Sequence, residues 1–227
     1  MTTAAIIVAA GSGQRFGDAG KSFAPLAGKP MAWWSLQAAS TAASIDEIVL
    51  VCGAHSYEIA DELVDAFPTD KPLALVLGGD RRQDSALAGI EASSVSTTLV
   101  AIHDAARPLV RSELFDAVVA AAEATGAAIA GTPVSDTIKR VANGRVLETV
   151  PRDELVSVQT PQAFRKQSLL HAFAFAERGG RSVTDEAALI ELAGGQVAVV
   201  PGSPVNFKVT YPQDLLIAET LLQGTYR

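Results

Sequence analysis

The residues with the clearest chemical potential are a glycine-rich turn and the cations behind it: Gly11-Ser12-Gly13-Gln14-Arg15-Phe16-Gly17, then Lys21. Glycines let backbone N–H groups approach a ligand with no Cβ in the way. Such a turn at the end of a buried strand cradles anions. The cations favour phosphate, which a guanidinium grips with a bidentate fork and an ammonium meets as a point charge. Spacing excludes two standard phosphate loops. A dinucleotide fingerprint needs glycine where Phe16 stands, and a P-loop ending in Gly20-Lys21-Ser22 needs one where Arg15 stands.

Two more constellations lie downstream. Gly78-Gly79-Asp80-Arg81-Arg82-Gln83-Asp84-Ser85 is a second glycine-led turn entering a helix. It reads either as an ordinary helix start or as a polyanion site, because two arginines at a helix N-terminus oppose the dipole and need a partner. His103-Asp104-Ala105-Ala106-Arg107-Pro108 follows an apolar run. Asp104 there is either a turn residue or a hard oxygen ligand able to hold Mg²⁺ against phosphates. In the plainer account Arg107 is a surface ion pair of little energetic weight. The histidines at 55, 103 and 171 are too scattered for a zinc site, and no Ser-His-Asp or Cys-His pair stands out.

The elements that must position these residues alternate. Short β-rich runs end at the first glycine turn and cover Glu47–Cys52, Leu73–Leu77, Leu99–Ile102 and Ala127–Gly131. Helical runs cover Met31–Ala42, Ser56–Phe67, the segment from the second glycine turn to Ser94, and Ser112–Thr125 with Ser112 as N-cap. This rhythm predicts parallel strands with helical crossovers. Thr137–Ala142 and Arg145–Val150 flank Asn143-Gly144, a strong hairpin signal that interrupts the rhythm. An isolated two-stranded ribbon is marginal in water, so residues 136–158 are expected to form an arm that packs on another subunit. Gln159-Thr160-Pro161-Gln162 reads as the return to the main body. Helices at Lys166–Glu177 and Asp185–Ala193 follow, the second with Thr184 as N-cap. Strands at Val197–Val200 and Asn206–Val209 precede a last helix that starts at Thr210-Tyr211-Pro212-Gln213. Trp33 and Trp34 are expected to pack against the sheet.

With 227 residues and 48% apolar content, the chain is expected to form one domain spanning 1–227 with a real core. A net charge of −7 argues against a general nucleic-acid surface. No apolar run approaches the ~20 residues of a membrane span. The lone cysteine, Cys52, reads as a core residue and fits a reducing cytoplasm.

In register along nearly the whole chain, these blocks resemble the 2-C-methyl-D-erythritol 4-phosphate cytidylyltransferase family. The carriers are Ala9-Ala10-Gly11-Ser12-Gly13-Gln14-Arg15, Gly78 to Ser85, Asp104-Ala105-Ala106-Arg107, Asp136-Thr137-Ile138-Lys139-Arg140, Gln159-Thr160-Pro161-Gln162, Thr184-Asp185-Glu186-Ala187 and Phe207-Lys208-Val209-Thr210. The resemblance implies a Rossmann-like three-layer α/β/α nucleotidyltransferase fold, with a mostly parallel twisted sheet and a protruding β-hairpin arm. It implies CMP transfer from CTP to a polyol phosphate, with Mg²⁺, in a cytoplasmic homodimer. By the same resemblance Ala9, Ala10, Gly11, Gly13, Gly79, Asp80, Arg82, Ser85 and Ala105 would bind CTP. Arg15 and Lys21 would stabilise the five-coordinate α-phosphate. Asp104, Arg107, Thr137 and Thr184 would bind the acceptor, with Asp104 also facing the metal. Arg152 and Lys208 would aim the acceptor phosphate, Thr137 and Arg152 reaching it from the partner's arm. The chain departs from the family pattern at Gly20-Lys21-Ser22, where Pro-Lys-Gln is usual, and Lys29 is a rival lysine. Ribitol-5-phosphate cytidylyltransferases share the expected fold, but the 104–107 run and Thr184-Asp185 lean towards methylerythritol phosphate. A non-catalytic nucleotide-binding module is disfavoured by the presence of both Arg15 and Lys21.

Overall fold

The computed structural model describes residues 1–11, 20–181 and 183–224. Its centre is a seven-stranded sheet built from β1 (Thr2–Val8), β4 (Glu47–Cys52), β5 (Leu73–Leu77), β6 (Thr97–Asp104), β7 (Ala127–Pro133), β10 (Val156–Arg165) and β11 (Ala198–Pro201), in the order β11-β7-β10-β6-β1-β4-β5. All neighbours run parallel except β10, which is antiparallel to both β7 and β6. Two-residue strands β2 (Pro25–Leu26) and β3 (Lys29–Pro30) form a small ribbon beside it.

β1 shows why the sheet is buried on both faces. Its side chains alternate, so Ala5 and Ile7 join one core cluster while Ala4, Ile6 and Val8 join another. The first cluster packs under α1 (Met31–Thr41), α2 (Tyr57–Ala66) and α4 (Ser112–Thr125). The second packs under α3 (Arg82–Ala92), α5 (Lys166–Arg178) and α6 (Glu186–Leu192). A third, smaller cluster of Leu26, Met31, Ala106, Val209 and Ala218 seats α7 (Pro212–Gln223). Strands covered on both faces are expected in parallel α/β sheets. The helix α3 lies so close that a Cβ on Gly89 would sit 2.3 Å from Ile6 Cγ2 and 2.8 Å from Val51 Cγ2. Only glycine permits that approach.

Several sequence expectations are corrected. Residues 156–165 form β10, a central strand, where a return loop at Gln159–Gln162 was expected. Its inner residues are polar yet buried, with Gln159, Thr160 and Gln162 between 1% and 6% exposed, so no apolar run announces it. The proline sits in an irregularity of register between Gln159 and Gln162, where its missing N–H breaks no regular ladder. Residues 206–209 are not a strand; Asn206 turns inward and Val209 N–H donates once, to Ala106 O. The N-cap of α6 is Asp185, not Thr184, because the Asp185 carboxylate accepts the Ala188 N–H. In α4 the cap position falls on Arg111, with no side-chain cap, and Ser112 is the first helical residue.

The hairpin stands apart as its own sheet, β8 (Ile138–Ala142) against β9 (Arg145–Val150), with Asn143 and Gly144 both at positive φ in the turn. Val141, Val146 and Leu147 on it are each about 60% exposed. Trp33 packs edge-on to Phe67, and Trp34 donates to Leu26 O.

Candidate active site

The parallel register brings the carboxyl ends of four strands level. Val8 pairs with Val51 and with Asp104, and Cys52 with Leu77. The ladder then runs one residue further: Ala9 N–H donates to Val51 O, Gly78 N–H to Cys52 O and Ala105 N–H to Val8 O. Four turns therefore meet at one edge, where ligands of open α/β sheets bind. They enclose a cleft of about 730 Å³.

Its walls hold most of the sequence candidates that the structure describes. Ala10, Gly11, Lys21, Gly79, Asp80, Arg82, Ser85, Asp104 and Lys208 line it. Ala9 and Ala105 lie just beneath, both buried. Gly78 lets the second glycine turn close on Ala10, since a Cβ there would meet Ala10 Cβ at 2.7 Å. Gly13 and Arg15 lie outside the described residues. Lys21 faces the cleft and donates to Val209 O at 2.9 Å, whereas Lys29 lies 4.3 Å over the Trp33 ring and away from it. The contributions missed in sequence are Ser22, Thr210 and the Gly53-Ala54-His55 turn after β4. The only signal for that turn is its place at a strand's carboxyl end.

The floor of the cleft is a chain of alternating charges. Asp104 Oδ2 accepts from Lys208 Nζ at 2.7 Å, and Oδ1 from Arg82 Nε at 3.0 Å. Arg82 Nη1 continues to both oxygens of Glu186, at 2.7 and 2.8 Å. Burial works to raise the Asp104 carboxyl, but Arg82 and Lys208 outweigh it and hold the group well below the usual carboxylate range. Burial likewise works to lower Arg82, and the two carboxylates push it up instead. Glu186 was missed as a participant. In sequence it shows only as an acidic residue opening a helix, within the Thr184-Asp185-Glu186-Ala187 run. The arginines at the start of α3, which oppose its dipole, find carboxylate partners within the chain: Asp84 for Arg81 at 2.5 Å, Asp104 and Glu186 for Arg82.

Beneath this floor β10 supplies polar support. Thr160 Oγ1 accepts from Asp104 N–H at 3.0 Å and contacts His103 Nδ1 at 3.1 Å. His103 Nε2 lies 3.2 Å from Arg107 O. Arg107 O can only accept, so it takes the Nε2 proton, and Nδ1 is left to accept from the Thr160 hydroxyl. Burial holds the His103 pKa at about 4. Arg107 is turned from the cleft: Nη1 donates to Asn206 O at 2.8 Å and Nη2 to Val158 O at 3.3 Å. It braces the segment that carries Lys208.

Besides Arg107, three candidates are not brought into this cleft. Thr184 is exposed beside Asp185, and Thr137 and Arg152 are exposed at the base of the arm, where Arg152 Nη1 donates to Ser135 O. As for a metal, both oxygens of Asp104 are already engaged by cations. Among the described residues no three carboxylate, imidazole or thiol groups gather as a ligand set. The donor set does not fit a metal held on Asp104. No helix among the described residues is long and apolar enough to cross a membrane.

Comparison with known proteins adds the following. The family model for 2-C-methyl-D-erythritol 4-phosphate cytidylyltransferase matches residues 3–224. Relatives of that description from Bacillus licheniformis and a Synechococcus species are 39% and 44% identical, over 98% and 96% of this chain and 96% and 97% of theirs. The crystal structure of 4-diphosphocytidyl-2C-methyl-D-erythritol synthase from Anaerococcus prevotii superposes with a TM-score of 0.87 at 31% identity, covering 98% of both chains. That of 2-C-methyl-D-erythritol 4-phosphate cytidylyltransferase from Thermus thermophilus gives 0.77 at 33%, covering 96% of this chain and 98% of its own.

Proposed function

The chain belongs to the 2-C-methyl-D-erythritol 4-phosphate cytidylyltransferase family of nucleotidyltransferases, and from that premise we propose how its residues divide the work. It transfers the CMP part of CTP to 2-C-methyl-D-erythritol 4-phosphate, a step of isoprenoid biosynthesis. One phosphate attacks another, so the obstacle is like-charge repulsion. The acceptor phosphate is itself the nucleophile and needs no covalent partner from the protein. Catalysis then consists of positioning and fixed positive charge.

The observation that carries the assignment is the cleft itself, with Lys21, Arg81, Arg82 and Lys208 around two glycine turns at the strand ends. Ala10, Gly11 and Gly13 would present the triphosphate with backbone N–H groups, above Ala9, whose own N–H is held by Val51 O. Gly79, Asp80, Ser85 and Ala105 would seat the cytidine. Arg15 and Lys21 would face the α-phosphate and favour its five-coordinate state. Pyrophosphate leaves as the new P–O bond forms. Lys208 would take the acceptor phosphate, and Asp104, once released from it, would accept hydrogen bonds from the acceptor's hydroxyls.

Magnesium would supply charge neutralisation on the triphosphate in a reaction of this kind. Thr137 and Arg152, which do not line their own cleft, would complete the partner's acceptor site in a homodimer built on the arm. The exposed valines and leucine of that hairpin support this reading. The lone buried Cys52 supports a cytoplasmic setting. The test is pyrophosphate release from CTP and Mg²⁺, with methylerythritol phosphate and ribitol 5-phosphate run side by side. Release with the first alone is expected; release with ribitol 5-phosphate alone overturns the acceptor.

A further inference from the structure

The most deeply buried charge near the cleft is Glu186, whose side chain is fully inaccessible. Removing a carboxylate from water is costly, and packing alone would be served by an apolar residue. Its backbone is pinned from two sides. Asp185, the preceding residue, accepts from Ala188 N–H at 3.1 Å to cap α6, and from Gln162 Nε2 on β10 at 2.9 Å. Glu186 thus meets the sheet at a set distance, and it spends both oxygens on one nitrogen of Arg82.

Resting on the cytidylyl-transfer reading, we propose that Glu186 is a positioning residue for acceptor binding: by holding Arg82 Nη1 it restricts Arg82 to a single bond on Asp104 Oδ1 and keeps Oδ2 for Lys208 and the acceptor's hydroxyls. A guanidinium prefers two parallel bonds to one carboxylate. Arg82 also stands at the first position of α3, where the dipole repels a cation. Without the charge on Glu186, Asp104 is the remaining carboxylate on Arg82, and a bidentate grip there covers both oxygens. Lys208 then loses its partner and the acceptor loses its acceptor atom. CTP, held by the glycine turns, Asp80 and Ser85 as well as by Arg82, loses less.

The experiment is steady-state kinetics of Glu186→Gln with CTP and methylerythritol phosphate varied separately. The acceptor KM is expected to rise about tenfold and the CTP KM by clearly less, tenfold being one step of the affinity scale. In an Arg82→Lys background, where no fork exists to close on Asp104, Glu186→Gln is expected to change the acceptor KM no further. An equal rise of both KM values, or the same acceptor penalty in both backgrounds, overturns the proposal in favour of plain structural support. If Glu186→Gln does not fold, Glu186→Asp carries the test: the shorter carboxylate keeps its charge but reaches Arg82 less well. An unmoved ratio of the two KM values overturns the proposal there too. Wild-type protein that fails to turn over the acceptor overturns this inference together with the proposed function; wild-type turnover with an unmoved ratio in the variant overturns the inference alone.

Discussion

At the scale of single residues, the site is a set of charges that satisfy one another before any ligand arrives. Lys208 is the member proposed to face the acceptor, and among the described residues its loss leaves Arg82 as the ion-pair partner of Asp104. Lys208→Ala is expected to lower kcat/KM for the acceptor by roughly 100-fold, the size found when one preorganised charge-stabilising donor is removed. Circular dichroism should be unchanged, because the ammonium is more than a third exposed. His103 acts below the floor, not in it. Its pKa of about 4 lies under the 6.5 of an unfolded histidine, so the unfolded chain takes up the proton first. Its contribution to stability is whole above about pH 6.5 and is lost as pH falls towards 4, by up to about 3 kcal/mol. Urea unfolding at pH 7 and pH 5 measures this, and His103→Gln should remove that part of the slope. The buried Glu186 carboxyl, raised by burial, works in the opposite direction, which is why the comparison with the variant is needed.

At the scale of elements, α3 shows how packing aims chemistry. Gly89 lets the helix lie on Ile6 and Val51, and the same helix begins with Arg82. Gly89→Ala is expected to cost about 2 kcal/mol by overpacking and to lower activity as Arg82 is pushed off its two carboxylates, measured by thermal melting and turnover. Much of this level was legible in the sequence. Glu47–Cys52, Leu73–Leu77 and the Asn143-Gly144 hairpin stand within a residue of the expected bounds, because apolar runs and turn chemistry are local signals. β10 was not legible. Gln159, Thr160 and Gln162 are inward-facing for the sake of Asn206, Asp104 and Asp185, and partners so far away in sequence leave no local pattern. Glu186 was hidden for the same reason: its partner lies 104 residues away. The cap assignments at Thr184 and Ser112 missed by one residue, the usual uncertainty of a helix end.

At the scale of the whole molecule, the arm is an extension of two inner strands. β7 runs out into it, and the chain returns along β10 past Val158, which accepts from Arg107, and Thr160, which holds Asp104 N–H. Replacing Ile138–Val150 by a short turn should leave melting within a few degrees of wild type, since the hairpin forms a sheet of its own. In the proposed homodimer the same change should yield a monomer by sedimentation and abolish acceptor turnover. A strand shared in this way between the arm's root and the floor of the cleft has a thermodynamic consequence. In that proposed homodimer, self-association and acceptor affinity would be linked equilibria, each shifting the other by the same factor. Dilution alone should then act as an inhibitor, lowering specific activity as the protein concentration falls through its dissociation constant, and saturating methylerythritol phosphate should restore it.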